Sequence, residues 1–313
     1  MSAAAALPVS VHVFVRDWLS ANHVLLRSGQ DGHVLVDTGY GAHADLTLAL
    51  IGGVRGLAGA PLAKIVNTHG HSDHVGGNAA IARRYGCPIA VPAAEAPLFE
   101  AWDERTLLYA YADQAVERFA VDERIEAGST HLWGGLPWLA LAAPGHDMGA
   151  LVFHNPTHGV LISGDALWQR GFGFVMPRAM DPRALPATRA TLDMIAALDV
   201  RTVIPGHGEP FGEVRASLDY AYQRLAAFEA DDERVARYGA KAIFSYALLH
   251  RRRFPEALLP EYVDTVGFFR DLNAAVLRMA PGALAAWLVD DLVRAGAIRH
   301  DGADLVPVTG EAG

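Results

Sequence analysis

The chain has 313 residues, 51% hydrophobic and 19% charged, with a formal charge of −9 and a pI near 5.8. That length and composition suit a globular protein with a substantial core and exclude disordered and fibrous classes. The acidic balance argues against nucleic acid as a partner. The start of the chain lacks the basic stretch of a signal peptide, and no apolar run of ~20 residues is free of charge, so the expectation is a cytoplasmic protein without a membrane span.

Residues 11–15, 22–26 and 33–37 alternate or run apolar as strands do, and the Asp31-Gly32 turn joins the last two as a hairpin. Residues 43–58 suggest a helix carrying Leu46, Leu48, Leu50 and Ile51. A buried-type strand at 64–68 runs directly into His69, and a helix is expected from Gly76-Gly77 to Tyr85, ended by Gly86. Cys87, the single cysteine, excludes an internal disulfide and a thiolate-rich metal site and reads as a small core residue. A strand follows at 88–92, and the aromatic-rich segment 95–120 reads as a helical insertion. Strands resume at 136–142, 150–153 and 159–163, and a helix at 187–198 precedes a strand at 202–204. Two sets of strands with helices between them predict stacked sheets with helices outside.

From Val214 the chain becomes nearly all helix. Leu284, Leu288 and Leu292 form one apolar stripe, and Gly296 suits a helix end. The run His250-Arg251-Arg252-Arg253 reads as a solvated helix end rather than a phosphate site. A hairpin is expected about Asp301-Gly302, so the tail is similar in order to a winged-helix module. The predicted division is a catalytic region, 1–213, and a mainly helical C-terminal region, 214–313.

The segment Thr68-His69-Gly70-His71-Ser72-Asp73-His74 packs four metal-ligand side chains into six residues at the end of an apolar strand. Imidazole and carboxylate donors suit zinc, and also iron or manganese. So many polar groups at a buried strand end are costly unless paired or metal-bound. Pro144-Gly145-His146, Ser163-Gly164-Asp165 and Pro205-Gly206-His207-Gly208 each follow a strand, and glycine lets the backbone turn tightly there.

On these residues the chain resembles the metallo-β-lactamase superfamily: His-x-His-x-Asp-His at 69–74, then His146, Asp165 and His207, with Asp37 in Val36-Asp37-Thr38-Gly39 matching the family's early aspartate. The resemblance covers about residues 10–212 and implies a four-layer αβ/βα sandwich with two divalent metals, zinc first among them, at one edge. It implies one metal on His69, His71 and His146, another on Asp73, His74 and His207, and Asp165 bridging. Asp37 would support the site by holding a ligand. Asp165 stands where some β-lactamases have cysteine and others lack the acid. The resemblance therefore implies the glyoxalase II-like branch of thioesterases, lactonases and related hydrolases. His71 stands where flavodiiron relatives have glutamate, and the large insert of the nuclease branch is missing.

The expected reaction is attack by a metal-bound hydroxide on the carbonyl of a small ester-like substrate (thioester, lactone or β-lactam-like amide), with Asp73 as ligand and proton carrier. Trp168, Phe172 and Phe174 after the bridging aspartate either wall the substrate site or pack their loop on the core. Tyr40 and Phe211 carry the same two readings, and Arg170 or Arg178 would bind a carboxylate or phosphate. The other nine histidines read as structural or exposed. Alternatives are a metal-dependent nuclease or phosphodiesterase, a mononuclear iron dioxygenase acting on persulfides, and a metal-bound sensor without turnover. The C-terminal helices would form a lid or a homodimer contact.

Overall fold

The computed structural model describes residues 7–30 and 32–308. Asp31, at the centre of the expected first turn, lies outside the described residues, as do residues 1–6 of the N-terminal segment.

Short apolar runs build the first sheet. Strands β1 (Val11–Phe14), β2 (His23–Leu26) and β3 (His33–Val36) pair antiparallel. Helix α1 (Ala44–Gly52) returns the chain to β4 (Leu62–Val66), parallel to β3. The helix stops at the Gly52-Gly53 pair, short of the expected residue 58, because glycine is a poor helix former. Helices α2 (Ser72–Val75) and α3 (Asn78–Tyr85) lead to β5 (Ile89–Pro92), and α4 (Ala96–Ala101) precedes β6 (Glu123–Ile125). The sheet order is β1-β2-β3-β4-β5-β6.

The second sheet contains β7 (Thr130–Trp133), β8 (Leu136–Ala142), β9 (Leu151–Asn155) and β10 (Val160–Gly164), all antiparallel. Helix α5 (Ala184–Ala196) crosses back to β11 (Thr202–Pro205), parallel to β10. Strands β6 and β7 are sheet-edge strands that the hydrophobic pattern does not announce, since most of their residues stay partly or fully exposed.

The inner faces of the two sheets meet in one core, where Leu26, Val36 and Val66 pack with Trp138, Phe153 and Ile162. Helices α1, α3 and α4 cover the outer face of the first sheet, with Ile51, Ile81 and Phe99. Helices α5 and α6 (Val214–Ala230) cover the outer face of the second, with Leu192, Leu218 and Leu225 against Val152, Leu161 and Val203. The result is a four-layer αβ/βα sandwich followed by a C-terminal helical region.

That region runs through α7 (Asp232–Arg251), β12 (Phe254–Pro255), α8 (Leu259–Thr265), α9 (Gly267–Leu272) and α10 (Pro281–Arg294) to the hairpin β13 (Ile298–Asp301) and β14 (Asp304–Pro307). The three strands form a small sheet in the order β12-β14-β13. Leu284, Leu288 and Leu292 are all buried in its core, together with Phe174 and Leu108 from the sandwich. No single helix among the described residues is long and apolar enough to cross a membrane.

The segment 95–120 differs from expectation. Only α4 and one 3-10 turn, Ala110–Ala112, are helical. Trp102, Leu108 and Asp113 adopt left-handed backbone conformations that interrupt any helix. Between them the Asp103 carboxylate accepts hydrogen bonds from the Arg105 and Thr106 amides, forming a side-chain-stabilised turn.

Candidate metal centre

The cluster residues follow the ends of strands, five on loops and two in the short helix α2. His69 and His71 follow β4, with Asp73 and His74 in the first turn that comes next. His146 follows β8, Asp165 follows β10 and His207 follows β11. The paired sheets therefore bring their strand ends to one edge, and the seven side chains converge there.

Two sets of three donors result. His69 Nε2 lies 3.1 Å from His71 Nδ1, which lies 2.8 Å from His146 Nε2. Asp73 Oδ2 lies 3.6 Å from His74 Nε2 and 3.0 Å from His207 Nε2. The Asp165 carboxylate stands between the sets: Oδ1 is 3.4 Å from His74 Nε2, and Oδ2 is 3.4 Å from His146 Nε2. Donor spacings near 3 Å are what one ion with ~2.0–2.1 Å bonds to nitrogen draws together. The clusters fit divalent cations on a second ground. His74 is fully buried, yet its Nε2 has no hydrogen-bond partner. An unsatisfied buried nitrogen is costly, and a cation would satisfy it.

The surroundings fix which nitrogen faces the centre. Asp37 Oδ2 lies 2.8 Å from His74 Nδ1, and the carboxylate is itself held by the Thr68 amide (2.9 Å) and hydroxyl (2.8 Å). His146 Nδ1 donates to the Phe174 carbonyl, leaving Nε2 for the centre. The Trp168 indole N–H donates to Asp165 Oδ1 at 3.1 Å. Backbone room matters equally: a Cβ on Gly206 would lie 2.3 Å from Asp165 Oδ1, and Gly145 has φ +145 with Thr188 closing on it.

Protonation is polarised accordingly. Burial, reinforced for His146 by His71, pulls His71 and His146 down to about 4, so both rings are neutral at physiological pH. Burial opposes charge on His74 as well, but Asp73, Asp37 and Asp165 together outweigh it and raise it well above an ordinary histidine. Burial would raise Asp73, yet His74 and His207 bring it down to about 2, an ionised carboxylate.

The remaining sequence candidates divide. Trp168 and Phe174 line a cavity of about 640 Å³ that opens from the centre. Phe172 does not: it is buried in the core beside Phe228, with Arg224 over its ring. Phe211 is likewise core. Arg178 is engaged elsewhere, its amide on Asp232 and its guanidinium on the Glu229 carbonyl at the α6–α7 junction. Arg170 is exposed and does not line the cavity. Tyr40 is buried with its ring against His250, outside the cavity wall.

Two residues escaped sequence reasoning. The Tyr246 hydroxyl, from α7, donates to Asp73 Oδ2 at 3.0 Å and lies 3.3 Å from His207 Nε2. Trp18 stacks on His207 with ring centroids 5.3 Å apart, though it is 59% exposed. Only an exposed tryptophan beside a strand could have hinted at the second, and nothing local marks the first.

Comparison with known proteins agrees with this architecture. Residues 16–207 match the family model described as the Metallo-beta-lactamase superfamily. A hydroxyacylglutathione hydrolase of Hyphomonas neptunium is 32% identical over 120 residues, covering 38% of this chain and 40% of that protein. An uncharacterised protein of Mycobacterium tuberculosis, Rv2581c, is 30% identical over 198 residues, covering 58% of this chain and 82% of its own length. Among solved structures, the metallo-beta-lactamase family protein TTHA1429 from Thermus thermophilus aligns over 96% of this chain and all of its own, with a TM-score of 0.57 and 20% identity. TTHA1623, in a di-iron-bound form, covers 68% of this chain and 98% of its own at 26% identity and a TM-score of 0.51.

Proposed function

The chain belongs to the metallo-β-lactamase superfamily, and from that premise we propose that it is a dinuclear metal-dependent hydrolase of the glyoxalase II-like branch, cleaving a thioester-like acyl substrate. The observation that carries this reading is the Asp165 carboxylate set between two three-donor clusters. His69, His71 and His146 would hold one ion, and Asp73, His74 and His207 the other, with zinc favoured by the all-imidazole-and-carboxylate donors and iron or manganese compatible with them. Bound there, the pair supplies Lewis acidity and lowers the pKa of a shared water toward ~7.

The chain's own groups do the rest. Asp73, ionised and hydrogen-bonded to Tyr246, is placed to take the proton of the attacking water. Burial and the nearby Asp73 and Asp165 keep the Tyr246 hydroxyl protonated; its single proton rests on Asp73 and would swing to the oxygen on which charge develops. Water adds to the carbonyl carbon, the carbon–sulfur bond breaks, and the thiolate leaves with that proton. Trp18 and Trp168 shield the His207 side from bulk water. A phosphodiester would find little to grip. Among the described residues lining the cavity, the one Lys or Arg is Lys241, and it is paired with Asp291 at 2.6 Å. Arg251 and Arg253 are paired with Asp113 and with Asp301 and Asp304.

Elemental analysis of the purified protein, joined to a panel of thioester, lactone, β-lactam and phosphodiester substrates, tests the reading. The expected result is two equivalents of metal and turnover of thioesters, both lost in Asp165→Asn. Full metal content and activity in Asp165→Asn would overturn the bridging assignment.

A further inference from the structure

The cavity that begins at the metal centre does not stop there. Its wall includes His71, Asp73, His146 and Asp165 at the centre, and it reaches Leu292 of α10, Ile298 of β13 and Pro307 of β14 in the C-terminal region. Helix α7 connects the two. Tyr238, Ala242, Ser245 and Leu249 all line the cavity, and their spacing of four, three and four residues places them on one helix face. Tyr246, which touches Asp73, lies on the same helix, and the eight residues from it to Tyr238 at ~1.5 Å each make the stretch leading away from the centre about 12 Å long. The two middle positions are small, Ala242 and Ser245, so the face is recessed rather than filled. The residues that α10, the hairpin and their connection contribute, Leu292, Ala295, Ala297, Ile298, Pro307 and Val308, are aliphatic. Apart from the centre itself, polar groups are few: Asp17, Gln114, the Tyr238 hydroxyl, Ser245 and the already paired Lys241. Val308, 47% exposed, marks where this wall meets solvent.

A long, recessed apolar trough continuous with a reaction centre suits a linear aliphatic chain carried by the group that reacts there. We propose that the channel between the metal centre and the C-terminal hairpin binds the aliphatic acyl chain of the substrate, so that the physiological substrate class is a medium- or long-chain acyl thioester. The chain lies along α7 with its carbonyl at Asp73 and Tyr246. This rests on the hydrolase reading for the carbonyl's position, but the channel itself can be probed without turnover. The acyl side is specified because that chain continues directly from the carbonyl carbon, whereas a chain on the thiol is set off by sulfur and departs on cleavage.

Two measurements on the full chain test it. The first uses metal-free protein and dansyl-undecanoic acid. Its fluorescence should rise on binding, dodecanoate should displace it and butyrate should not, and Ala242→Trp should weaken binding at least about tenfold while retaining the wild-type melting profile. The second uses metal-loaded protein and acetyl, butyryl, octanoyl and dodecanoyl thioesters of one thiol. kcat/KM should rise about 2–4-fold per added methylene until the trough is filled, and Ala242→Trp should flatten the series. Ala242→Gly, which widens the trough, should shift the optimum to longer chains. Probe binding without turnover of any thioester would overturn the reaction and leave the channel standing. Turnover that is fastest with acetyl, together with no probe binding, would overturn the channel and leave the reaction standing. An equal gain from lengthening the thiol instead of the acyl group would overturn the acyl assignment.

Discussion

Asp37 shows how far the site depends on residues that touch no substrate. Its carboxylate holds His74 Nδ1 at 2.8 Å while sitting at φ +58, a left-handed conformation that asparagine also tolerates. Asp37→Asn should therefore fold, yet lose about 10–100-fold in metal affinity, read by chelator competition. Unchanged affinity would show that His74 needs no orienting partner. Tyr246→Phe removes one hydrogen bond to a charged group, which is worth about 1.5–3 kcal/mol. The expected loss is about 10–100-fold in kcat of the folded, metal-loaded protein, beyond any fall in melting temperature, whereas a purely structural role would lower the melting temperature and leave kcat unchanged. Glu95 gives the pH case. Burial, and then the neighbouring Asp147 carboxyl, push its carboxyl well above the ordinary range, and its Oε1 accepts from the Gly70 amide at 2.9 Å. A folded-state pKa above the unfolded one means that stability is greatest below the unfolded value and declines as pH rises through the folded one. Glu95→Gln mimics the protonated acid, so denaturant melts should show it equal to wild type near pH 4 and more stable at pH 8; a parallel decline in both proteins would exclude this source. The metal-ligand candidates were legible because each is encoded locally: His69, His71, His146, Asp165 and His207 stand after a strand beside glycine, and Asp73 and His74 follow His71 within three residues. Tyr246 was not, because its contact with Asp73 spans 173 residues and leaves no local pattern. Arg178 misled for a related reason: a cation's partners, here the Glu229 carbonyl and the Asp232 carboxylate 3.8 Å away, are chosen by tertiary packing.

At the scale of elements, periodicity located strands and helices that bury one face and failed where burial is partial. Strands β2 and β5 are buried throughout and read plainly, whereas the edge strands β6 and β7 gave no signal. The segment 95–120 is rich in helix-compatible residues, but its aromatics Phe99, Tyr109 and Phe119 are spent on the core while Trp102 and Leu108 turn the chain at positive φ. Tertiary packing overrode propensity there. The stripe Leu284, Leu288 and Leu292 on α10 read correctly because a helix packed along one side needs that spacing. Leu288 is wholly buried, so Leu288→Ala should cost about 2–5 kcal/mol in denaturant unfolding. A loss below ~1 kcal/mol would mean that the C-terminal core collapses around the cavity or unfolds separately.

For the whole molecule, the predicted division after residue 213 falls between β11 and α6, whereas α6 supplies the outer layer of the second sheet through Leu218, Leu225 and Phe228. The hydrophobic pattern could not place that boundary, because α6 and α7 are both amphipathic helices and only their partners differ. Asp231 separates them: its backbone is extended, and its side chain caps α7 by accepting from the Arg234 amide at 3.0 Å. Beyond it, α7 to β14 build their own core, joined to the sandwich by Phe174, Leu108 and Ala112, by Val235 buried in the outer core of the second sheet, and by the contact of Tyr246 with Asp73. We therefore place the division at Asp231. A chain ending at Ala230 should remain soluble and unfold cooperatively, because it keeps all of α6 and loses only Val235 from the outer core of the second sheet. One ending at Glu213 exposes the faces of Leu161 and Val203 that α6 covers, and it should aggregate or lose cooperativity. The longer truncation product should still bind metal, since all seven cluster residues precede the cut, but lack Tyr246 and the channel wall. Its turnover should therefore fall at least as far as that of Tyr246→Phe, and its preference among acyl chain lengths should disappear. Retention of a chain-length preference in that truncated protein would place substrate selection within the sandwich rather than in the helical region packed against it.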